Sequence, residues 1–156
     1  MRIDAAALRE VERHGEEAFP HECCGLLLGR QEPDGARRAV RVARARNLET
    51  ERSGDRYLLD PRDRLAAEAD ARREGLTLVG FYHSHPDHEA YFSATDLARS
   101  EEVQWGEPWL PPSYTYLVTS VRAGRAVRTL AFEVQEGRAV EVRLEPVGQP
   151  LEEDVA

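Results

Sequence analysis

The hydrophobic positions of the chain fall into blocks of distinct period. Leu8, Val11 and Ala18 recur at helical spacing behind Asp4, a capping residue, and Pro20 stops the run. The stretch Cys24-Gly-Leu-Leu-Leu-Gly29 is continuously apolar and bounded by glycine, the pattern of a strand buried on both faces. A turn at Pro33-Asp34-Gly35 leads into Ala36 to Asn47, where Arg alternates with Val and Ala as on a half-exposed strand. Tyr57-Leu-Leu59 reads as a brief strand, and Asp60-Pro61 opens a second helix that carries Leu65, Ala66 and Ala69 as far as Gly75. Leu76 to Tyr82 is a second central strand, ending at His83-Ser-His-Pro86. Ser93 caps a third helix expected to run to about Val103. Trp105 to Pro112 is a loop rich in Pro and Trp. Tyr114 to Ser120, Ala126 to Glu133 and Ala139 to Leu144 read as strands, with turns at Ala123-Gly124 and Glu136-Gly137. The sum is a single α/β or α+β domain over residues 1–148, with about six strands and three helices, and an acidic tail over 149–156 that is expected to fray.

Composition narrows the class. A chain of 156 residues can bury a core without disulfides or metal. No apolar run approaches a membrane span of about 18 residues, and Met1-Arg2-Ile3-Asp4 does not open a signal peptide, so a soluble cytoplasmic protein is expected. Cys23 and Cys24 are adjacent, which gives neither a C-x-x-C redox pair nor a disulfide framework; they read as small buried apolar residues. The net charge of −8 argues against sequence-independent nucleic-acid binding. All 21 basic residues are Arg, so the chain has no lysine ε-amine for a Schiff base. Arg37, Arg38, Arg41, Arg44 and Arg46 form the one basic stripe, read as a solvated strand face in preference to a docking patch for an acidic partner.

One constellation carries chemistry. His83 and His85 stand two apart at a strand end, so their imidazoles share one side, and Asp96 follows 11 residues later in the first turn of the next helix. Two imidazoles and one carboxylate make a three-ligand zinc set that leaves a fourth position to water, the pattern of catalytic zinc. A hydrolase of this kind needs a proton carrier. Glu22, a charged residue at the start of a buried strand, is the candidate. Ser93 is read two compatible ways: as the cap of a Ser93-Ala-Thr-Asp96 capping box and as a donor to a developing oxyanion.

These residues resemble the JAMM (MPN-type) metalloprotease signature: an acidic Glu22, His83-Ser84-His85-Pro86, seven residues between His85 and Ser93, then Ser93-x-x-Asp96. The flanking Glu22-Cys-Cys-Gly-Leu-Leu-Leu-Gly29 and Val79-Gly80-Phe-Tyr-His83 are similar to the strands around that site, and the resemblance is to small stand-alone prokaryotic members. It implies a cytidine-deaminase-like three-layer α/β domain with a mixed sheet and one Zn2+ per chain. That ion would be held by His83, His85 and Asp96, with Glu22 as base and acid and Ser93 supporting the oxyanion. The implied activity is hydrolysis after the C-terminal Gly-Gly of a ubiquitin-like or sulfur-carrier protein, as peptidase or isopeptidase, with cysteine among the groups released. The implied partner is that carrier, with its tail extended along a sheet edge; Trp105 to Pro112 is a candidate wall of its channel. No nucleic acid or membrane is expected, and a homodimer is left open. The alternative is a non-enzymatic MPN-type module that docks a ubiquitin-like partner; a DNA-repair relative with H-N-H-P ranks last, because this chain has Ser84 there.

Two overlapping signatures are rejected. His83-Ser-His85-Pro-Asp87-His88 is similar to the dinuclear metallo-β-lactamase type, but no histidine follows His88, and the others are His14 and His21. His88 then reads as a loop residue near the site. A nucleotide deaminase would need H-x-E and P-C-x-x-C elements, which are missing.

Overall fold

A computed structural model describes residues 1–54, 57–94, 96 and 114–148. The described elements are β1 (Arg2–Asp4), α1 (Ala5–Ala18), β2 (Cys24–Gln31), β3 (Arg37–Ala45), α2 (Pro61–Arg73), β4 (Thr77–Pro86), β5 (Thr115–Arg122), β6 (Arg125–Gln135), β7 (Arg138–Val142) and β8 (Glu145–Val147). The fold is mixed α/β, as expected. The Ser93 helix beyond Asp96, the loop from Trp105 to Pro112 and the acidic tail lie outside the described residues.

One sheet of eight strands runs in the order β7-β6-β5-β4-β2-β3-β1-β8. The β4/β5, β1/β3 and β1/β8 pairs are parallel and the others antiparallel. Strands β7 and β8 lie at opposite ends of that order, yet only residues 143 and 144 separate them in the chain. The sheet therefore curls round on itself. Helix α1 touches β1, β3, β4, β5, β6 and β8, which one helix can do only from the concave face; α2 covers β2, β3 and β4 from the other side.

The central strand β2 is buried through six consecutive residues, with Leu26, Leu27 and Leu28 alternating between the two cores. Each such leucine contributes about 2 kcal/mol of burial. Glycines permit two close approaches. At Gly80 a Cβ would meet the Thr115 carbonyl oxygen at 2.1 Å, and at Gly25 the Tyr82 ring occupies the space a side chain would need.

The helix ends obey their sequence signals with one exception. Asp60 accepts from the Arg62 N–H at 2.9 Å, Pro61 starts α2, and Gly75 (φ 72°) follows its end. Asp4 occupies the N-cap position of α1 but makes no capping bond, because its carboxylate takes the Arg38 guanidinium at 2.7 Å.

Three strand expectations change. Tyr57 to Leu59 is not a strand; only a single bridge joins Leu59 to Asn47. The short parallel strands β1 and β8 were not expected, since three residues show no period. They are held by the terminal amine donating to the Arg143 carbonyl at 2.8 Å and by Glu145 N–H donating to Met1 at 3.0 Å. Finally, β4 runs through Pro86 instead of ending at Tyr82, because His83 and His85 stay in parallel register with Val118 and Ser120.

The basic stripe is divided and internally paired. Arg38 binds Asp4 and Glu32, and Arg44 reaches Glu10 and Glu17 on α1. Arg41 pairs with Glu74 and Arg46 with Asp60 and Asp63, all at the ends of α2; Arg37 donates to the Val79 carbonyl. Arg44 thus ties the sheet to α1, and Arg41 and Arg46 tie it to α2. None of the described helices is long and apolar enough to cross a membrane.

Candidate metal centre and active site

Period-2 geometry at the end of β4 sorts its motif residues between the two faces. His83 and His85 turn to one face, both buried, with ring centroids 5.0 Å apart. Ser84, between them, turns to the other, where it lies under Gly15 of α1 and its Oγ accepts from the Cys23 N–H at 2.8 Å.

The imidazole pair converges on Asp96. His83 Nε2 lies 3.0 Å from Asp96 Oδ1, His85 Nε2 lies 3.2 Å from Oδ2, and the two Nε2 atoms are 3.2 Å apart. Asp96 is itself held by a reciprocal pair of bonds. Its Oδ2 accepts from the Ser93 N–H at 2.9 Å, and its own N–H donates to Ser93 Oγ at 3.0 Å. The capping box read from the sequence is therefore present, with Asp in the role usually taken by Glu.

The protons in this cluster point to a cation. His85 Nδ1 lies 2.9 Å from the Glu89 carbonyl, which can only accept, so Nδ1 carries the hydrogen. In a neutral ring Nε2 then presents a lone pair to the Asp96 carboxylate and to His83. Acceptors held this close repel unless a proton or a metal ion lies between them. Burial opposes a charge on His85, but its bonds to Asp96 and the Glu89 carbonyl outweigh that and raise its pKa. Burial would raise Asp96, yet His83 and the bonds from His83, His85 and Ser93 hold it well below the carboxylate range. At His83 burial wins and lowers the pKa, so this ring favours its neutral, metal-ligating form. The spacing fits as well, because zinc bonds of 2.0–2.1 Å to N and O place neighbouring tetrahedral ligands roughly 3.3 Å apart. The donor set suits a zinc ion.

Glu22 stands before β2, only 4% exposed. Its carboxylate joins His83 and His85 in a cluster whose ligand atoms all lie within 4.8 Å of one another. Its N–H donates to the Ser53 carbonyl at 2.5 Å and its carbonyl accepts from Asn47 Nδ2 at 3.1 Å. A cleft of about 280 Å3 opens here, lined by Glu22, Gly54, His85, Pro86, His88, Tyr91 and Ser93. The structure thus brings together all five residues singled out from the sequence. His88 is an exposed residue of the cleft wall.

Sequence reasoning missed several supporting groups. The Tyr57 ring stacks on His83 with centroids 4.6 Å apart, Tyr91 packs edge-on against His85, and Asn47 and the Glu89 carbonyl orient Glu22 and His85. Only Tyr57 left a signal, an aromatic residue just before a helix cap, and it was absorbed into an expected strand. Cys23 and Cys24 are free and buried on opposite sides of the sheet. Burial pushes the Cys23 thiol up to about 12 and raises Cys24 too, so both act as small apolar groups.

A buried His-x-His pair with a helix-turn Asp on a curled mixed sheet defines a JAB/MPN-type domain. Residues 4–132 match the family described as prokaryotic homologs of the JAB domain, and the chain belongs to that family. It is similar to a desampylase from Haloferax volcanii, with 34% identity over 124 residues that cover 77% of this chain and 80% of the relative. It is also similar to the CysO-cysteine peptidase of Mycobacterium tuberculosis, with 29% identity over 145 residues covering 93% and 88%. A solved structure of a protein from Desulfitobacterium hafniense superimposes with a TM-score of 0.75 at 29% identity, covering 95% of this chain and 93% of that one.

Proposed function

We propose that this chain is a zinc-dependent peptidase or isopeptidase that hydrolyses the bond after the C-terminal Gly-Gly of a ubiquitin-like or sulfur-carrier protein, cysteine being among the groups released. The observation that carries the reading is the convergence of His83 and His85 on Asp96, with Nε2 atoms 3.2 Å apart and each 3.0 to 3.2 Å from one oxygen of the carboxylate, beside a cleft lined by His85 and Glu22. The activities for which the desampylase and the CysO-cysteine peptidase are named support the substrate class.

In this reading His83, His85 and Asp96 hold one zinc ion. When bound, zinc supplies a Lewis acid that makes water nucleophilic at neutral pH. Glu22 is the other carboxylate at the imidazole pair. It takes the proton from the attacking water and returns it to the departing amine. Ser93 Oγ already accepts from the Asp96 N–H, which leaves its own hydrogen to donate to the scissile carbonyl oxygen as charge builds there. A Gly-Gly tail suits the cleft because it passes with little more than its main chain. The helices on opposite faces of the sheet support the three-layer, cytidine-deaminase-like arrangement, and the two free cysteines fit a cytoplasmic setting.

The test is incubation of the zinc-loaded protein with carriers ending in Gly-Gly-Cys and with carriers joined through Gly-Gly to a lysine side chain, products being identified by mass. Cleavage after the second glycine, abolished by a chelator, is expected. Zinc-loaded protein that binds such a carrier without cleaving either form would replace the enzyme with a docking module.

A further inference from the structure

We infer that Asn47 is a positioning residue for Glu22: its side-chain amide holds the main chain of the proton carrier, Glu49 and Leu58 in one bracket, and so sets the turnover rate. The inference rests on the proposed role of Glu22.

Glu22 stands two residues ahead of β2, and the ladders that order β2 begin at Cys24. Its main chain is held from elsewhere. Asn47, just beyond the end of β3, donates from Nδ2 to the Glu22 carbonyl at 3.1 Å. The Oδ1 of the same amide accepts from the N–H of Glu49 at 3.0 Å and of Leu58 at 2.9 Å. The loop closes at this point, with Leu48 N–H donating to the Leu58 carbonyl at 2.7 Å and Asp60 N–H to the Arg46 carbonyl at 3.0 Å. Ser53, inside the loop, then accepts the Glu22 N–H at 2.5 Å. Both main-chain polar groups of Glu22 are thus fixed by Asn47 or by the loop that Asn47 closes.

The chemistry of the bracket requires a carboxamide. One group must donate to a carbonyl and accept from two N–H groups at once. An aspartate could keep both acceptor bonds, but it would turn an acceptor toward the Glu22 carbonyl and add a negative charge near the carboxylate. The loop also carries Tyr57, which stacks on His83, and Gly54, which lines the cleft. Asn47→Asp therefore separates the Glu22 bond from support of the loop. Misplacing a catalytic group by about 1 Å can cost on the order of 100-fold in rate.

The experiment measures kcat, KM and bound zinc for Asn47→Asp and Asn47→Ser, each in the wild-type and Glu22→Gln backgrounds, on a carrier ending in Gly-Gly-Cys. Asn47→Asp is expected to lower kcat about tenfold or more while KM stays within about twofold and zinc content is unchanged. In the Glu22→Gln background it should cause no further loss of the residual rate, because both substitutions remove the same function. Should Asn47→Asp not yield folded protein, Asn47→Ser, which also lacks the amide donor, is held to the same criteria. A kcat within twofold of wild type, zinc lost in step with activity, or an equal fold-loss in both backgrounds would each overturn the inference. Near-normal turnover of Glu22→Gln alone would instead overturn the proposed role of Glu22, a distinct result.

Discussion

Ser84 sits in the middle of the His83-Ser-His-Pro86 motif, yet its side chain lies on the face away from the cleft, fully buried, with Oγ accepting from the Cys23 N–H at 2.8 Å. Replacing it with alanine removes that acceptor and leaves a buried amide without it. An orphaned buried donor costs about 1–3 kcal/mol. The neighbouring Ser84 N–H to Cys23 carbonyl bond, at 3.2 Å, is main chain and survives the change. For a domain of this length each kcal/mol moves Tm by about 2–4 °C, so Ser84→Ala should melt on the order of 5 °C lower. Glu22 keeps its bonds to Ser53 and Asn47, and His83, His85 and Asp96 lie across the sheet. Bound zinc should therefore be unchanged and kcat within about threefold of wild type. Calorimetry, metal analysis and steady-state kinetics on one preparation decide the matter. Loss of turnover with an unchanged Tm would show that Ser84 acts in the chemistry and that the sorting of motif residues by face is wrong.

Two further predictions concern α1 and the basic stripe. Burial, with a smaller push from Arg44, holds the His14 imidazole down to about 4 where it meets the Tyr82 hydroxyl at 2.7 Å. The unfolded chain takes up that proton first, near pH 6.5, so stability present above this pH is lost as the pH falls toward 4. After discounting for partial exposure, wild type should lose roughly 1–2 kcal/mol more than His14→Gln between pH 7 and pH 4.5 in urea unfolding; parallel losses would contradict this. Reversing Arg41 or Arg44 to Glu should leave KM for an acidic carrier within about twofold, since both side chains are spent on pairs with Glu74, Glu10 and Glu17. A several-fold rise in KM would make the stripe a docking surface after all.

The features legible in the sequence were those with a local period or a fixed spacing. Strand β2 announced itself by its unbroken apolar run, α2 by Asp60-Pro61, and the site by residues whose spacing meets the demands of a metal. What was hidden depends on contacts between distant segments. The sheet extends beyond β3 through β1 and β8, three residues each, whose pairing is visible only once the N-terminus meets residues 143–147. The Arg alternation in β3 looked like solvation because its acidic partners lie on α1, α2 and the turns. Tyr57 read as a strand residue because nothing nearby in the chain reveals that its ring meets His83. Asn47 carried no signal, since an amide near a strand end looks like any turn residue until its three partners are in place.

The proposed function divides the acidic residues at the imidazole pair, with Asp96 to hold the ion and Glu22 to move the proton. The most direct test is Glu22→Gln, an isosteric change that removes the base, with bound zinc and turnover of a Gly-Gly-Cys carrier measured on the same sample. About one zinc per chain is expected, as in wild type, with turnover reduced at least about 100-fold through lost general acid–base catalysis. Near-normal turnover, or loss of the zinc along with the activity, would contradict this division.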